Sequence, residues 1–215
     1  MNSDPKHPLS VRTLVSLGRI YARGFHQLEV RTPCSLPRHG PAILVSNHTS
    51  GVDPVMIQSA CPRLIVWMMA SEYYEIPSMK WGFDLLQIIP VERSGKDLAA
   101  TRAALRALGE GRILGVFPEG RIESTDGKIL PFQPGVALMA HRAAVDVYPA
   151  YLDGSQRGKT MSHAFFHPQS VSLTFGPRVD LRFDGRKPDL SAATSKIQAA
   201  VEGLRDVASS LQQEA

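Results

Sequence analysis

Short runs of apolar residues recur along the chain, and each run ends at a cluster of polar and turn-forming residues. Continuous runs of this length are typical of strands that are covered on both faces of a sheet. The run at residues 28–32 alternates instead, which predicts an edge strand. The pattern predicts strands near residues 28–32, 42–46, 64–69, 88–91, 113–117, 145–151 and 171–175.

Stretches with apolar residues at helical spacing lie between most of these runs. Strands that alternate with helices predict an α/β fold, with a mixed, mainly parallel central sheet flanked by helices. In helix 95–109 we expect Leu98, Thr101, Leu105 and Leu108 to face the core. The aromatic-rich residues 72–86 predict short helices, which either line an apolar groove or belong to the core. The remaining helices are predicted near residues 10–26, 54–60, 134–143 and 191–211.

The N-terminal helix, residues 10–26, combines an apolar stripe with a basic face and contains no acidic residue. Two interpretations fit: a helix that lies in the headgroup layer of an anionic membrane, or a helix docked on the domain with a solvated arginine face. We divide the chain into an arm with its amphipathic, membrane-facing helix, residues 1–27, and a main domain, residues 28–215. The predicted polar face consists of Arg12, Ser16, Arg19, Arg23 and His26.

Composition narrows the class of protein. The 215 residues are 43% hydrophobic and 20% charged, as in soluble globular proteins. The net charge of +4 favours anionic partners such as a phosphate-bearing substrate, an anionic membrane surface or nucleic acid. No apolar run is long enough to predict a membrane-spanning helix, and the N-terminus has no signal-peptide core. Cys34 and Cys61 have no metal or disulfide spacing, so we expect a reduced, cytoplasmic compartment.

Polar side chains that could act in catalysis or ligand binding follow three of the predicted strands. If the strands are parallel, the loops that carry these side chains converge on one edge of the sheet. Imidazole groups titrate near neutral pH and accept protons from hydroxyls, and a nearby carboxylate fixes the ring tautomer. Arginine binds phosphate through paired hydrogen bonds. The first loop holds His48 and Asp53, the second holds Arg93, and the third holds Glu119, Gly120 and Arg121, with Lys128 a little later.

No protein nucleophile accompanies this base. The chain contains no Gly-x-Ser-x-Gly turn, and neither cysteine lies in a catalytic motif. A base without a covalent partner favours direct attack by a substrate hydroxyl, which is group transfer.

The order and spacing of these residues resemble the glycerolipid acyltransferase family, which includes 1-acylglycerol-3-phosphate acyltransferases. The similarity extends over roughly residues 40–155. The family's four blocks correspond in order to Asn47, His48 and Asp53, to Pro90 through Arg93, to Phe117 through Arg121, and to Val147 through Ala150.

The resemblance implies a role for each position. His48 would deprotonate the acceptor hydroxyl and Asp53 would orient His48, while Arg93, Glu119, Gly120 and Arg121 would bind the acceptor's phosphate. Because an anion beside a phosphate is unfavourable, Glu119 has an alternative role, in which it anchors the loop by accepting backbone N–H groups or pairs with an arginine. Asn47 and Lys128 are further candidates for the site.

One departure bears on the acceptor. Many family members place Thr and then Arg after the Glu-Gly pair, whereas Arg121 and Ile122 stand there in this chain. The sequence Glu-Gly-Arg-Ile resembles bacterial enzymes that act on lysophosphatidylethanolamine.

Neither a metal nor a nucleic acid is expected. His163 and His167 have the spacing of a helical metal pair, but the intervening Phe residues and Pro168 argue against a stable helix, and no acidic or Cys ligand is near. Beyond net charge and scattered arginines, nothing in the sequence indicates nucleic-acid binding.

The sequence therefore predicts a cytoplasmic acyltransferase, peripheral on the inner face of the cell membrane. It would transfer a fatty acyl chain from an acyl thioester, either acyl-CoA or acyl-carrier protein, to the hydroxyl of a lysophospholipid. The acceptor predicted first is 1-acylglycerol-3-phosphate, giving phosphatidic acid, and no cofactor beyond the co-substrate is expected. The alternatives are another acceptor such as lysophosphatidylethanolamine, or a non-catalytic protein that binds membrane lipid.

Overall fold

The computed structural model describes residues 8–92, 97–122, 128–155, 161–183 and 188–213. Within these ranges, strands alternate with helices as the hydrophobic pattern predicts. The strands are β1 (Glu29–Val30), β2 (Ala42–Ser46), β3 (Ile65–Ala70), β4 (Ile89–Val91), β5 (Ile113–Val116), β6 (Val147–Asp153) and β7 (Ser172–Phe175). The helices are α1 (Leu9–Ile20), α2 (Asp53–Ala60), α3 (Ser71–Tyr74), α4 (Pro77–Leu85), α5 (Leu98–Gly109), α6 (Gly135–Ala143), α7 (Met161–Phe166) and α8 (Leu190–Gln213).

The strands form one mixed sheet in the order β1-β7-β6-β2-β5-β3-β4. The five strands from β6 to β4 are mutually parallel, whereas β7 is antiparallel to β6 and β1 is parallel to β7. The carboxyl ends of β2 and β5, which are neighbours, therefore meet at the same edge of the sheet. The predicted α/β class, the mainly parallel sheet and the edge position of β1 are confirmed.

Strand β2 is covered on both faces, which explains its continuous apolar sequence. All five of its residues are buried. Ile43 and Val45 pack with α5, α6 and α8, whereas Ala42 and Leu44 pack with α2 and with parts of the N-terminal segment. This double cover makes β2 a rigid support for the loop that follows it.

The N-terminal helix docks on the domain and also exposes apolar side chains. Helix α1 continues as a π-helical turn, Tyr21–Phe25, and the Arg19 guanidinium donates to the carbonyl of Cys61 at 3.1 Å. The predicted polar face is wrong at its end, because His26 is fully buried and packs edge-on against Tyr21 and Phe25. Leu17 and Ile20, by contrast, are 57% and 69% exposed.

Helix α5 buries Leu108 as predicted and partly buries Thr101 and Leu105, but Leu98 is exposed and alanines form most of its inner face. Its buried residues are Ala100, Ala104, Ala107 and Leu108, whereas Leu98 is 58% exposed. Alanines allow the helix to approach the sheet closely, so the small residues rather than the largest apolar ones mark its inner face. The side chain of Asp97 caps the helix by accepting from the backbone N–H of Ala100 at 2.8 Å.

The aromatic-rich segment forms α3 and α4, two short helices beside β3 and β4. Neither helix contains a fully buried residue, and Trp81 is 64% exposed. The expectation of short helices is confirmed, and of the two alternatives for their side chains, a place in the core does not hold for Trp81. None of the helices in the described ranges is both long and apolar enough to cross a bilayer.

Candidate active site

The loop after β2 and the loop after β5 are joined at the carboxyl edge of the sheet. His48 lies two residues beyond the end of β2, and its backbone N–H donates to Oε1 of Glu119 at 2.7 Å. Glu119 lies three residues beyond the end of β5. The structure thus brings together two of the three loops that the sequence predicted to converge.

The imidazole of His48 is held by a buried carboxylate. Nδ1 of His48 lies 3.0 Å from Oδ2 of Asp53, and the Asp53 side chain is fully buried while that of His48 keeps 17% exposure. The same oxygen accepts the backbone N–H groups of Thr49 and Ser50, each at 2.8 Å. Three donors therefore fix the carboxylate, and the pairing leaves Nε2 as the ring nitrogen available to accept a proton.

The side chain of Asp53 does not cap the helix that Asp53 begins. Helix α2 begins at Asp53 itself, its N-cap is Val52, and no side chain caps it. The carboxylate turns back toward the preceding loop because the N–H groups of Thr49 and Ser50, as well as the imidazole, lie on that side. Asp53 organises the loop that carries His48 rather than the helix that follows it.

Glu119 anchors backbone on both sides of its loop. Oε1 accepts the N–H of His48 at 2.7 Å and Oε2 accepts the N–H of Leu130 at 2.8 Å, while the residue is only 5% exposed. This geometry corresponds to the anchoring role that the sequence left as the alternative to phosphate binding. It satisfies buried N–H groups that would otherwise destabilise the loop.

Gly120 occupies a backbone position that favours glycine. Its φ of +70° lies in the left-handed region, and a Cβ on it would overlap Nε2 of Gln133. The backbone N–H of Gln133 in turn donates to the carbonyl of Pro118 at 2.9 Å. Gly120 therefore allows the Glu119 turn to pack closely against the segment that leads into α6.

Asn47 extends the pairing of β2 with β6 by one side chain. Its Oδ1 accepts the N–H of Leu152 at 2.8 Å, and its Nδ2 donates to the carbonyl of the same residue at 2.9 Å. Asn47 is 4% exposed. Because Asn47 directly precedes His48, these two hydrogen bonds fix the start of the His48 loop to the neighbouring strand β6.

An aromatic stack beneath the imidazole escaped the sequence prediction. The rings of His48 and Phe117 are stacked with centroids 4.1 Å apart, and Phe117 stacks on Trp67 at 4.9 Å. Gly115 makes room for this arrangement, because a Cβ on it would lie 2.5 Å from the indole. The sequence places Phe117 in the third family block, directly before Pro118 and Glu119, but contains no local signal that its ring lies against His48.

Of the three predicted phosphate-binding cations, two lie within the described residues. Arg121 and Lys128 are both exposed, Arg121 next to Gly120 and Lys128 two residues before Leu130. Arg121 therefore follows the Glu119 turn directly, and Lys128 lies close in sequence to the Leu130 backbone that Glu119 holds. Arg93 lies outside the described residues.

The two histidines that the sequence weighed as metal ligands lie on or beside a helix after all. Helix α7 spans Met161–Phe166, so the expectation that no stable helix forms there is wrong. The rings of His163 and His167 are stacked with centroids 3.8 Å apart, and Nδ1 of His167 lies 2.8 Å from the carbonyl of His163. Within the ranges that the structure covers, no cluster of three or more His, Cys, Asp or Glu side chains is arranged to hold a metal ion.

The geometry at the carboxyl edge, a His–Asp pair on one loop and a Glu-Gly turn on the next, agrees with the family to which the sequence can be matched. A family model described as Acyltransferase matches residues 27–153, more than half of the chain. The chain belongs to this acyltransferase family.

Individual relatives of the chain carry acyltransferase names. A Helicobacter pylori protein named 1-acyl-sn-glycerol-3-phosphate acyltransferase is 28% identical over 118 residues, covering 54% of this chain and 50% of that protein. A Bacillus subtilis protein of the same name is 24% identical over 179 residues, covering 80% and 85%. The chain spans about half the length of several such relatives, including the one from Limnanthes douglasii.

A solved structure shares the fold. The crystal structure of the 1-acyl-sn-glycerophosphate (LPA) acyltransferase PlsC from Thermotoga maritima superposes with a TM-score of 0.71 at 25% sequence identity. The match covers 91% of this chain and 79% of that one. The mixed, mainly parallel sheet flanked by helices is thus the fold of a known acyltransferase.

Proposed function

We propose that this protein transfers a fatty acyl chain from an acyl thioester to the free hydroxyl of a lysophospholipid, with His48 as general base. The observation that carries the proposal is the 3.0 Å contact between Nδ1 of His48 and the fully buried carboxylate of Asp53. Such a pair makes Nε2 the proton acceptor and stabilises the imidazolium that results. Membership of the acyltransferase family supports the same reaction class.

The proposed reaction needs no covalent enzyme intermediate. Nε2 of His48 takes the proton of the acceptor hydroxyl as its oxygen attacks the thioester carbonyl. The tetrahedral intermediate then collapses, the carbon–sulfur bond breaks, and the thiol leaves with the proton that His48 returns. The products are the acylated phospholipid and the free thiol of coenzyme A or of acyl-carrier protein.

The proposed acceptor is 1-acylglycerol-3-phosphate, which would give phosphatidic acid. Several relatives carry the name 1-acyl-sn-glycerol-3-phosphate acyltransferase, which supports this choice. In this proposal exposed Arg121 binds the acceptor's phosphate, while Glu119 and Gly120 shape the loop from which Arg121 projects. The resemblance assigns Arg93 to the same phosphate, and exposed Lys128 is a further candidate cation.

The proposed location is the cytoplasmic face of a membrane, where a lysophospholipid is found. Helix α1 presents Leu17 and Ile20 to solvent beside the basic residues Arg12 and Arg23, all exposed. A helix of this kind binds an anionic interface through apolar burial and charge together. Phe166, 71% exposed, adds to the apolar surface, since Phe165 beside it stacks on Tyr21.

The reaction is tested by following thiol release from acyl-CoA or an acyl-carrier-protein thioester with each acceptor, lysophosphatidic acid and lysophosphatidylethanolamine. We expect release that depends on lysophosphatidic acid, and a loss of about 10²–10⁴-fold in kcat for His48→Ala. His39→Ala, which removes an exposed imidazole outside the site, is the matched control and should retain activity. If neither acceptor supports thiol release, the non-catalytic lipid-binding alternative is favoured. A fully active His48→Ala would exclude His48 as the base.

A further inference from the structure

Two cysteines that the sequence does not connect meet in the fold. Cys34 lies in the segment between β1 and β2, and Cys61 follows the last residue of α2. Their sulfur atoms are 3.4 Å apart, and both thiols are free. Cys61 is 1% exposed, whereas Cys34 is only half-buried.

We propose that Cys34 and Cys61 are a redox-modification site, in which Cys34 reacts with a small-molecule disulfide and Cys61 resolves the product to an intramolecular disulfide. The sulfur atoms need to approach by little more than 1 Å to reach the bond length of about 2.0 Å. The partial exposure of Cys34 gives the reagent access to one thiol, and the burial of Cys61 protects the other from direct attack. In a reducing compartment such a bond is transient and reversible.

The surroundings of the two thiols favour this order of events. The hydrogen bond with Cys61, assisted by the backbone N–H of Leu36, lowers the pKa of Cys34 to about 7 against the opposing effect of burial. The thiolate is the reactive form, so Cys34 is the attacking group near neutral pH. The same hydrogen bond, burial and the charge on Cys34 raise the pKa of Cys61, whereas the positive charge of Arg19 lowers it.

The exchange balances with a disulfide such as glutathione disulfide as the oxidant. The Cys34 thiolate attacks one sulfur of the oxidant, which forms a mixed disulfide and expels one glutathione thiolate. The negative charge of Cys34 is thereby removed, so Cys61 can lose its proton. The Cys61 thiolate then attacks Sγ of Cys34 and expels the second glutathione, so two protein thiols are oxidised and one disulfide is reduced to two thiols.

The resulting disulfide would close a loop of the chain that contains the proposed active-site residues His48 and Asp53. The closed loop of residues 34–61 contains β2, the His48–Asp53 loop and the whole of α2. Cross-linking a loop of this length stabilises the folded protein by restricting the unfolded chain. We expect the oxidised protein to melt roughly 5–10 °C above the reduced protein.

The test is intact mass after the reduced, full chain is incubated with excess glutathione disulfide and acid-quenched. We expect the mass to fall by two hydrogens with no glutathione retained, and dithiothreitol to restore it. Cys61→Ser should accumulate one glutathione per chain, and Cys34→Ser should react at least tenfold more slowly. Wild-type protein that stays reduced, or that stops at a stable glutathione adduct while folded, would overturn the proposal. Because this measurement on the wild type requires no variant, it decides the question even if a serine variant fails to fold.

Discussion

The backbone N–H of His48 and the carboxylate of Glu119 are 2.7 Å apart, and this hydrogen bond joins the loops that follow two neighbouring parallel strands. Oε2 of the same carboxylate holds Leu130. Glu119 thus fixes the main chain of the residue proposed as the base, while Asp53 fixes its side chain. The two carboxylates divide the positioning of His48 between them.

Replacing Glu119 with glutamine tests whether it anchors the loop or binds phosphate. The amide would turn an NH2 group toward one of the two backbone N–H donors, leaving that donor buried and unpaired. For Glu119→Gln we expect kcat to fall about 10–100-fold, with a lowered Tm and little change in the acceptor KM. Steady-state kinetics at varied acceptor concentration measures kcat and the acceptor KM, and thermal melting measures Tm. Glu110→Gln, an exposed carboxylate after α5, is the control, and a change confined to KM would favour direct phosphate contact.

Removing the exposed cation Arg121 should weaken acceptor binding. An arginine that pairs with a phosphate contributes through charge-assisted hydrogen bonds, so its loss acts on the acceptor rather than on the thioester. For Arg121→Ala we expect the acceptor KM to rise about tenfold at unchanged Tm, with the thioester KM unaffected. Arg106→Ala on α5 provides an exposed arginine as the matched control. If the acceptor KM of Arg121→Ala equals that of the parent, the phosphate assignment fails.

Arg63 should matter for stability rather than for catalysis. It is 7% exposed, and its guanidinium donates to the carbonyls of Pro37, Gly40 and Gly111 at 3.1, 2.7 and 2.8 Å. Arg63→Met keeps the apolar stem but leaves these carbonyls without their donor, which we expect to cost about 3 kcal/mol of the free energy of unfolding.

Urea titration of Arg63→Met measures this loss. The matched control is Arg102→Met, an exposed substitution that should stay within about 0.5 kcal/mol of the parent. Equal unfolding midpoints for the two variants would show that solvent replaces the contacts of Arg63 at no cost.

The exposed face of α1 can be tested without disturbing the core. Because Leu17 and Ile20 already face solvent, Leu17→Glu with Ile20→Glu should fold normally and yet lose binding to anionic vesicles. Flotation with phosphatidylglycerol-containing liposomes measures this, and we expect at least a tenfold drop in bound protein. Leu98→Glu changes an exposed apolar residue of α5 and serves as the control. Retained flotation of the double variant would exclude this face as the membrane contact.

The sequence predicts the sheet and the convergence of its loops well, because both depend on local signals. Continuous apolar runs mark buried strands such as β2 and β5, and the polar residues that end them mark the functional edge. The hydrogen-bond and packing partners of side chains are harder to predict, because many of them belong to elements distant in sequence. An aspartate just before an apolar helical stretch usually indicates an N-cap, but the nearby loop donors and His48 compete successfully for the Asp53 carboxylate.

Other features had no local signal. The contact of Cys34 with Cys61 depends on how the segment before β2 packs against the end of α2. The burial of His26 depends on aromatic neighbours in the π-helical turn, a backbone form that helical periodicity does not distinguish from an ordinary helix.

The central position of β2 also determines when this strand can pair with its neighbours during synthesis of the protein. Its neighbours pair Ala42 with Ile113 and Ile43 with Val147, so a ribosome adds about one hundred further residues before both partners of β2 exist. At typical elongation rates this takes roughly 5–20 s. Strand β2 has no partner strand until β5 has been synthesised, and even then the His48 loop gains only Glu119 and still lacks Leu152. The His48 loop therefore acquires the last of these contacts only after β6 has been synthesised, among the last parts of the molecule to take shape.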